Sequence, residues 1–334
     1  MSADEVRAAM KEKSVDTVRE ESGESELVSV QDELRRVDKL YGEAIGYAHR
    51  FIDDVRDGKS FDFQDAAPLV SGFIDSVFRN ESAAAAIGRL KAFDEYTYTH
   101  CINVSILAVI LGKKLGYSPE KLELVGIAGL FHDVGKAVIP ESILNKPGKL
   151  TEDEMKVMRT HPLRGYGILK AQQDVPMEVL RGTLEHHEKY DGSGYPRGLK
   201  GEQISDIARL LAVVDVYDAL TSRRVYKEPM PPTKVLALMY KWRVTDFHPN
   251  TVELFIKSLG VYPVGSFVRL SSGLHGVVTD LNPVDPLRPK VRVAYDENMQ
   301  PLEVKDEDLS QGDLSIMDVI NPDDYGIDIY SLIQ

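Results

Sequence analysis

The sequence predicts a mainly α-helical protein: a helical N-terminal module, then an all-α metal-binding helical bundle, then a small C-terminal antiparallel β element. Three observations carry this reading. Apolar residues recur at three- and four-residue intervals through most of the first 260 positions, helix caps and first-turn prolines punctuate them, and beyond Gly260 the period falls to two. At 334 residues the chain is long enough for several modules with cores of their own.

Residues 1–27 mix acidic and basic side chains with no apolar stretch, so they do not read as a secretion signal and are expected to be mobile. Over residues 28–55, Leu34, Val37, Leu40, Ala44, Ile45, Ala48, Phe51 and Ile52 share one face of a long amphipathic helix. After the break at Asp57-Gly58-Lys59-Ser60, residues 61–78 repeat the period with Ala66, Val70, Phe73, Ile74 and Val77, and 82–93 extend it. A helical module over residues 28–90 follows. Its apolar stripe suits a homodimer or a signalling partner, or simply covers the neighbouring domain; amphipathicity does not separate these uses.

Residues 91–260 form the expected central helical domain. A helix over 97–115 carries His100, and Ser118-Pro119 caps the next, which ends at His132-Asp133. Thr151 and Glu154 fit a capping box before a helix that includes His161, where Pro162 bends it or ends its first part. Further helices are predicted over 176–188, 204–222, 233–243 and 249–259. Residues 261–334 then alternate in Phe267-Val268-Arg269-Leu270, in 275–281 and in 290–295, with turns at Ser271-Ser272-Gly273 and Asn282-Pro283. A sheet of about three to five strands is expected there.

A net charge of -13 argues against affinity for long nucleic acid, so any phosphate site must be a local basic pocket. One cysteine, Cys101, excludes an internal disulfide, and no apolar run is long enough for a membrane span. The expected compartment is the cytoplasm.

The chemistry concentrates in two motifs, His132-Asp133-Val134-Gly135-Lys136 and the run from His186 and His187 through Glu188 and Asp191 to Gly194-Tyr195-Pro196. A single histidine on an apolar helix is ordinarily a core residue. Here five of the eight histidines, His100, His132, His161, His186 and His187, lie between residues 100 and 187, with Asp133 and Asp215 as carboxylate partners. Imidazole and carboxylate without thiolate favour iron or manganese, with zinc, cobalt or nickel as alternatives, and leave room for water. Seven candidate ligands exceed the needs of one ion that keeps a water, so two divalent metal ions are expected, with Asp133 bridging.

Together the motifs resemble the HD-GYP family of cyclic-dinucleotide phosphodiesterases over roughly residues 91–260. The resemblance implies metal ligands at His100, His132, Asp133, His161, His186, His187 and Asp215. Some members add a glutamate one turn before the first histidine to hold a third metal. Tyr96 stands at that position here and Asp94 and Glu95 are offset from His100, which keeps the expectation at two. His187 is either a ligand or a nearby hydrogen-bonding group. The family's phosphate-contacting positions fall on Lys136, Arg224 and Lys227, which with Arg223 would form a cationic wall, while Gly194, Tyr195 and Pro196 would border the substrate. The implied reaction is hydrolysis of cyclic di-GMP to linear pGpG and onward to GMP by a metal-bridging hydroxide, with Asp133 and Lys136 in catalytic roles. The proton donor to the leaving oxygen stays open among Lys136, His187 and a second metal-bound water. Alternatives are a cyclic GMP-AMP or other nucleotide hydrolase, and a non-catalytic cyclic-dinucleotide sensor or scaffold. Degenerate sensors lose ligands, and no member of the set is missing.

Overall fold

The computed structural model describes residues 28–90, 96–222, 229–282 and 284–333. The expected N-terminal segment over 1–27, Asp94, Glu95, Arg223, Arg224 and Lys227 lie outside the described residues.

Helix α1 (Val30–Arg56) begins where the Ser29 hydroxyl accepts the Asp32 N–H at 3.1 Å, and it buries the predicted stripe from Leu34 to Ile52. A 3₁₀ turn leads into α2 (Ala67–Leu90), which kinks at Asn80. The Asn80 side chain explains the kink: it accepts from Ala83 N at 3.0 Å and donates to Val28 O at 2.8 Å, recapping the second half of the helix. Buried Glu33 takes a two-pronged ion pair from Arg79, both contacts 2.8 Å, and so fixes α1 on α2.

Helices α3 (Tyr96–Lys114) and α4 (Pro119–Phe131) are apolar nearly all round, the mark of central helices, and residues 99–112 of α3 are buried without a break. The apolar faces of α1 and α2 pack onto this pair. Phe131, immediately before the His132-Asp133 motif, meets Phe51, Phe61 and Phe63 at ring distances of 4.9, 5.6 and 5.3 Å. The floor of the motif is therefore built by N-terminal side chains.

After a 3₁₀ turn over Val134–Val138 and short α5 (Glu141–Leu144), α6 (Glu152–Met158) opens with the expected capping box. The chain breaks at Arg159 and Thr160, and α7 (His161–Lys170) restarts with Pro162 in its first turn. Helix α8 (Met177–Glu185) stops short of the expected 176–188, so His186 and His187 fall at its end rather than inside it. The reason lies beyond the helix, where buried Glu188 turns back to accept from Arg197 N at 2.7 Å and Leu199 N at 2.9 Å. Helices α9 (Asp206–Thr221), α10 (Pro232–Trp242) and α11 (Pro249–Leu259) complete the bundle, and Gly260 ends α11 with a positive φ of 72°.

Strands β1 (Phe267–Leu270), β2 (His275–Asp280) and β3 (Lys290–Tyr295) match the alternating segments; β4 (Pro301–Asp308) and β5 (Ile316–Val319) join them in an antiparallel sheet ordered β4-β3-β2-β1-β5. β4 escaped detection because it is an edge strand with little burial on either face, so burial imposes no alternation on it. Phe267 and Val277 belong to the same core as the helices, while Val268, Leu270, Val278, Val291 and Val293 form a smaller cluster on the other side. A last helix, α12 (Ile329–Ile333), buries Ile329 and Ile333 in the main core. Among the described residues no helix is long and apolar enough to cross a membrane.

Candidate metal centre

The seven candidate ligands arrive from five helical segments. His100 lies in the second turn of α3, His132 is the C-cap of α4 with Asp133 next to it, His161 opens α7, His186 caps α8 with His187 following, and Asp215 sits within α9. All but His187 are buried, and the His187 side chain is 24% exposed.

Two groups result. His100, His132 and Asp215 form one; Asp133, His161, His186 and His187 form the other; within each, the candidate ligand atoms all lie within 4.8 Å of one another. Asp133 stands between them. Its Oδ2 is 3.5 Å from His100 Nε2 and 3.3 Å from His132 Nε2, whereas its Oδ1 is 3.2 Å from His161 Nε2 and 3.8 Å from His186 Nε2. Asp215 Oδ1 lies 3.1 Å from His100 Nε2 and its Oδ2 lies 3.9 Å from His187 Nδ1.

Helix ends set the tautomers. The last carbonyls of a helix lack intrahelical donors, and three histidines use them: His132 Nδ1 bonds Gly129 O at 2.7 Å, His161 Nδ1 bonds Met158 O at 2.9 Å and His186 Nδ1 bonds Thr183 O at 2.8 Å. A carbonyl only accepts, so each Nδ1 carries the hydrogen, and in the neutral imidazole each Nε2 then presents a lone pair inward. Asp133 Oδ1 and His161 Nε2, and likewise His161 Nε2 and His186 Nε2 at 3.3 Å, then face each other with nothing to donate. His132 Nε2 and Asp133 Oδ1 have no hydrogen-bond partner although fully buried. Converging buried lone pairs without donors are what a divalent cation satisfies, so these residues fit metal ions.

Protonation agrees. Burial would raise Asp133, yet the Lys136 ammonium beside it holds it well below the usual carboxylate range; Asp215, buried too, is likewise shifted far down. Burial first, and neighbouring imidazoles second, push His186 well below an ordinary histidine, and burial also lowers His187. Ionised carboxylates and neutral imidazoles are the forms that bind metal.

Glycine permits the convergence at two points. A Cβ on Gly135 would lie 2.0 Å from His161 O, so only glycine lets the turn after Asp133 seat against the first turn of α7. A Cβ on Gly194 would lie 2.2 Å from Lys189 N, which gives this glycine a packing reason of its own. Tyr195 N donates to His187 O at 3.1 Å, and the Tyr195 ring lies against His187 with centroids 4.9 Å apart. The following residue, Pro196, leads to the backbone N–H groups that Glu188 holds. Lys136 pairs with Asp133 at the edge of the centre.

Sequence reasoning missed four contributors. Asp218 accepts from His100 Nδ1 at 2.7 Å, Asn103 donates to Asp218 at 2.9 Å, Glu188 anchors the Gly194–Pro196 loop, and Arg159 stands 5.4 Å over the Tyr195 ring. Asp218 did carry a signal, being one helical turn after Asp215 on the same face. The others needed the fold.

A helical bundle that gathers five imidazoles and two carboxylates into two adjoining groups able to hold metal ions is the architecture the fold and site define. The chain belongs to the HD domain family, which residues 81–250 match; residues 267–327 match a KOW domain associated with the HD domain. Cyclic di-GMP phosphodiesterase PA4108 of Pseudomonas aeruginosa is 40% identical over 268 residues, covering 80% of this chain and 64% of the relative. Cyclic di-GMP phosphodiesterase response regulator RpfG of Xanthomonas campestris pv. campestris is 46% identical over 155 residues, 46% of this chain and 41% of the relative. The chain thus spans less than two thirds of either relative's length. Among solved structures, Bd1817 of Bdellovibrio bacteriovorus, described as an HDG"Y"P protein, shares the fold with a TM-score of 0.57 at 19% identity, covering 67% of this chain and 72% of that one.

Proposed function

We propose that this chain is a metal-dependent phosphodiesterase that hydrolyses cyclic di-GMP to linear pGpG and then to GMP. The observation that carries the reading is Asp133, whose two oxygens face two separate groups of lone-pair donors. The names of the two relatives supply the substrate class.

In this reading His100, His132 and Asp215 would hold one ion, His161, His186 and His187 would hold the other, and Asp133 would contribute to both. Iron or manganese suits the set best. Once bound, the pair supplies an activated water for in-line attack and electrophilic contacts to the phosphoryl oxygens. The chain's own residues do the rest. Lys136, beside Asp133 and part-exposed, offsets charge on the phosphoryl group; Arg224 and Lys227, outside the described residues, are the further phosphate-contacting positions that the family resemblance implies. Tyr195 presents a ring for a purine, held in place by His187 and by the Glu188-anchored backbone, with Gly194 and Pro196 shaping the same edge. Any contact of α1 and α2 with a second copy or signalling partner has to use their outer face, since the apolar stripe is occupied. Cys101 is buried and unpaired, consistent with a cytoplasmic setting.

The test is anaerobic purification with metal analysis, then chromatography of products from cyclic di-GMP and, in parallel, from cyclic GMP-AMP. Two ions per chain and stepwise pGpG and GMP are expected. Faster turnover of cyclic GMP-AMP would move the substrate assignment, and a metal-loaded chain that cleaves neither would overturn the enzyme reading in favour of a sensor.

A further inference from the structure

A second polar line crosses apolar packing behind the ligands. Tyr41, fully buried on α1, donates its hydroxyl to Asn103 Oδ1 at 2.7 Å. Asn103 Nδ2 donates to Asp218 Oδ1 at 2.9 Å, and Asp218 Oδ2 accepts from His100 Nδ1 at 2.7 Å. Ser222 adds a bond from its hydroxyl to Asp218 Oδ1 at 3.0 Å. Gly88 of α2 makes the space, since a Cβ there would lie 1.9 Å from Asn103 Oδ1.

His100 needs this line for a local reason. His132, His161 and His186 take their orienting carbonyls from helix ends, whereas His100 lies inside α3, where the carbonyls around it are committed to the helix ladder. Its acceptor must come from another side chain. Asp218 can serve only if its second oxygen is held, and Asn103 holds it only with its amide nitrogen facing Asp218. Asp218, which only accepts, selects that orientation, and the Tyr41 hydroxyl then donates to the Asn103 oxygen left over, anchoring the side chain from helix α1.

We propose that Tyr41, acting through Asn103 and Asp218, is a positioning residue for His100, so that helix α1 sets one of the two metal sites. This rests on the two-ion reading above. Outer-shell partners of metal-bound histidines typically govern affinity by about 10–100-fold, and the effect should fall on the ion that His100 holds, leaving the ion near His161 unchanged.

The experiment is titration of the full-length, chelator-stripped chain with Mn(II), following free Mn(II) by electron paramagnetic resonance. Wild type is expected to take two ions. Tyr41→Phe, which keeps the ring and removes only the hydroxyl, should weaken one of them at least about tenfold and spare the other. Val37→Ala deletes buried packing one turn before Tyr41 on the same helix while keeping every member of the hydrogen-bonded line, and should leave both affinities within about twofold. Far-UV circular dichroism of both variants checks the fold. Unchanged binding by Tyr41→Phe overturns the proposal, as does an equal loss in Val37→Ala. Wild type that takes up no Mn(II) would instead overturn the two-ion reading itself.

Discussion

Asp133 Oδ1 lies 3.2 Å from His161 Nε2, and in the Nδ1–H tautomer that bonds Met158 O at 2.9 Å neither atom has a hydrogen to give. Two buried acceptors this close repel unless a cation lies between or beside them. The contact joins the end of α4 to the start of α7. It therefore depends on Asp133 for charge and on Gly135 for approach, and both dependences can be measured.

Replacing Asp133 with alanine removes the oxygens that face both ligand groups. We expect metal content to fall by at least one ion per chain and turnover of cyclic di-GMP to drop by more than the about 10–100-fold typical of outer-shell changes. The far-UV circular dichroism spectrum should persist, since the helices carry their own core. A purified variant with full metal content and full rate would show that Asp133 is no ligand.

Gly135→Ala puts a methyl group against the His161 carbonyl, where backbone rather than a flexible side chain must yield. Overpacking of this kind costs about 1–3 kcal/mol. A lowered melting temperature together with weakened binding of one ion is the anticipated result; a variant that melts and binds like wild type contradicts the close approach.

Stability of the metal-free chain should fall as pH falls. His186 and His187 have depressed proton affinity when folded, so below about pH 6.5 the unfolded chain takes up protons that the folded chain refuses. Each such histidine lowers stability by about 1.4 kcal/mol per pH unit in that range. Asp133 and Asp215 act in the same direction only below about pH 4. Urea unfolding in chelator at pH 7.5, 6.5 and 5.5 reads the slope, and a flat profile would refute the neutral, buried imidazoles.

Glu188→Gln replaces one of two acceptor oxygens with a donor that faces a backbone N–H. One of the bonds to Arg197 N and Leu199 N is lost, at about 1–3 kcal/mol for a buried group left unpaired. Because Glu188 holds the Tyr195 loop and not the metals, KM for the cyclic dinucleotide should rise while metal content stays constant. If metal is lost with KM unchanged, the loop has been assigned the wrong task.

Much of this protein is written locally. The stripe from Leu34 to Ile52, the Ser118 and Thr151 caps, the break at Pro162 and the alternation in β1 to β3 are properties of short stretches, because helix period, capping and strand alternation are set by neighbours a few residues apart. The histidines and aspartates were legible for a related reason: few other roles gather so many imidazoles beside carboxylates in one stretch of helices. Other features had no local trace. His186 and His187 left the helix because Glu188 bonds backbone nine and eleven residues ahead, and β4 lies exposed at a sheet edge where burial imposes no pattern.

The amino-acid order alone thus determined the helices, their capped starts and the kinds of side chain able to hold a cation. Which oxygen of Asp133 meets which histidine, and that Tyr41 reaches His100 through Asn103 and Asp218 across separations of 62 and 115 residues, was decided only when distant helices packed. Hydrogen bonds and lone pairs act over about 3 Å, a distance that periodicity along one helix cannot specify between two.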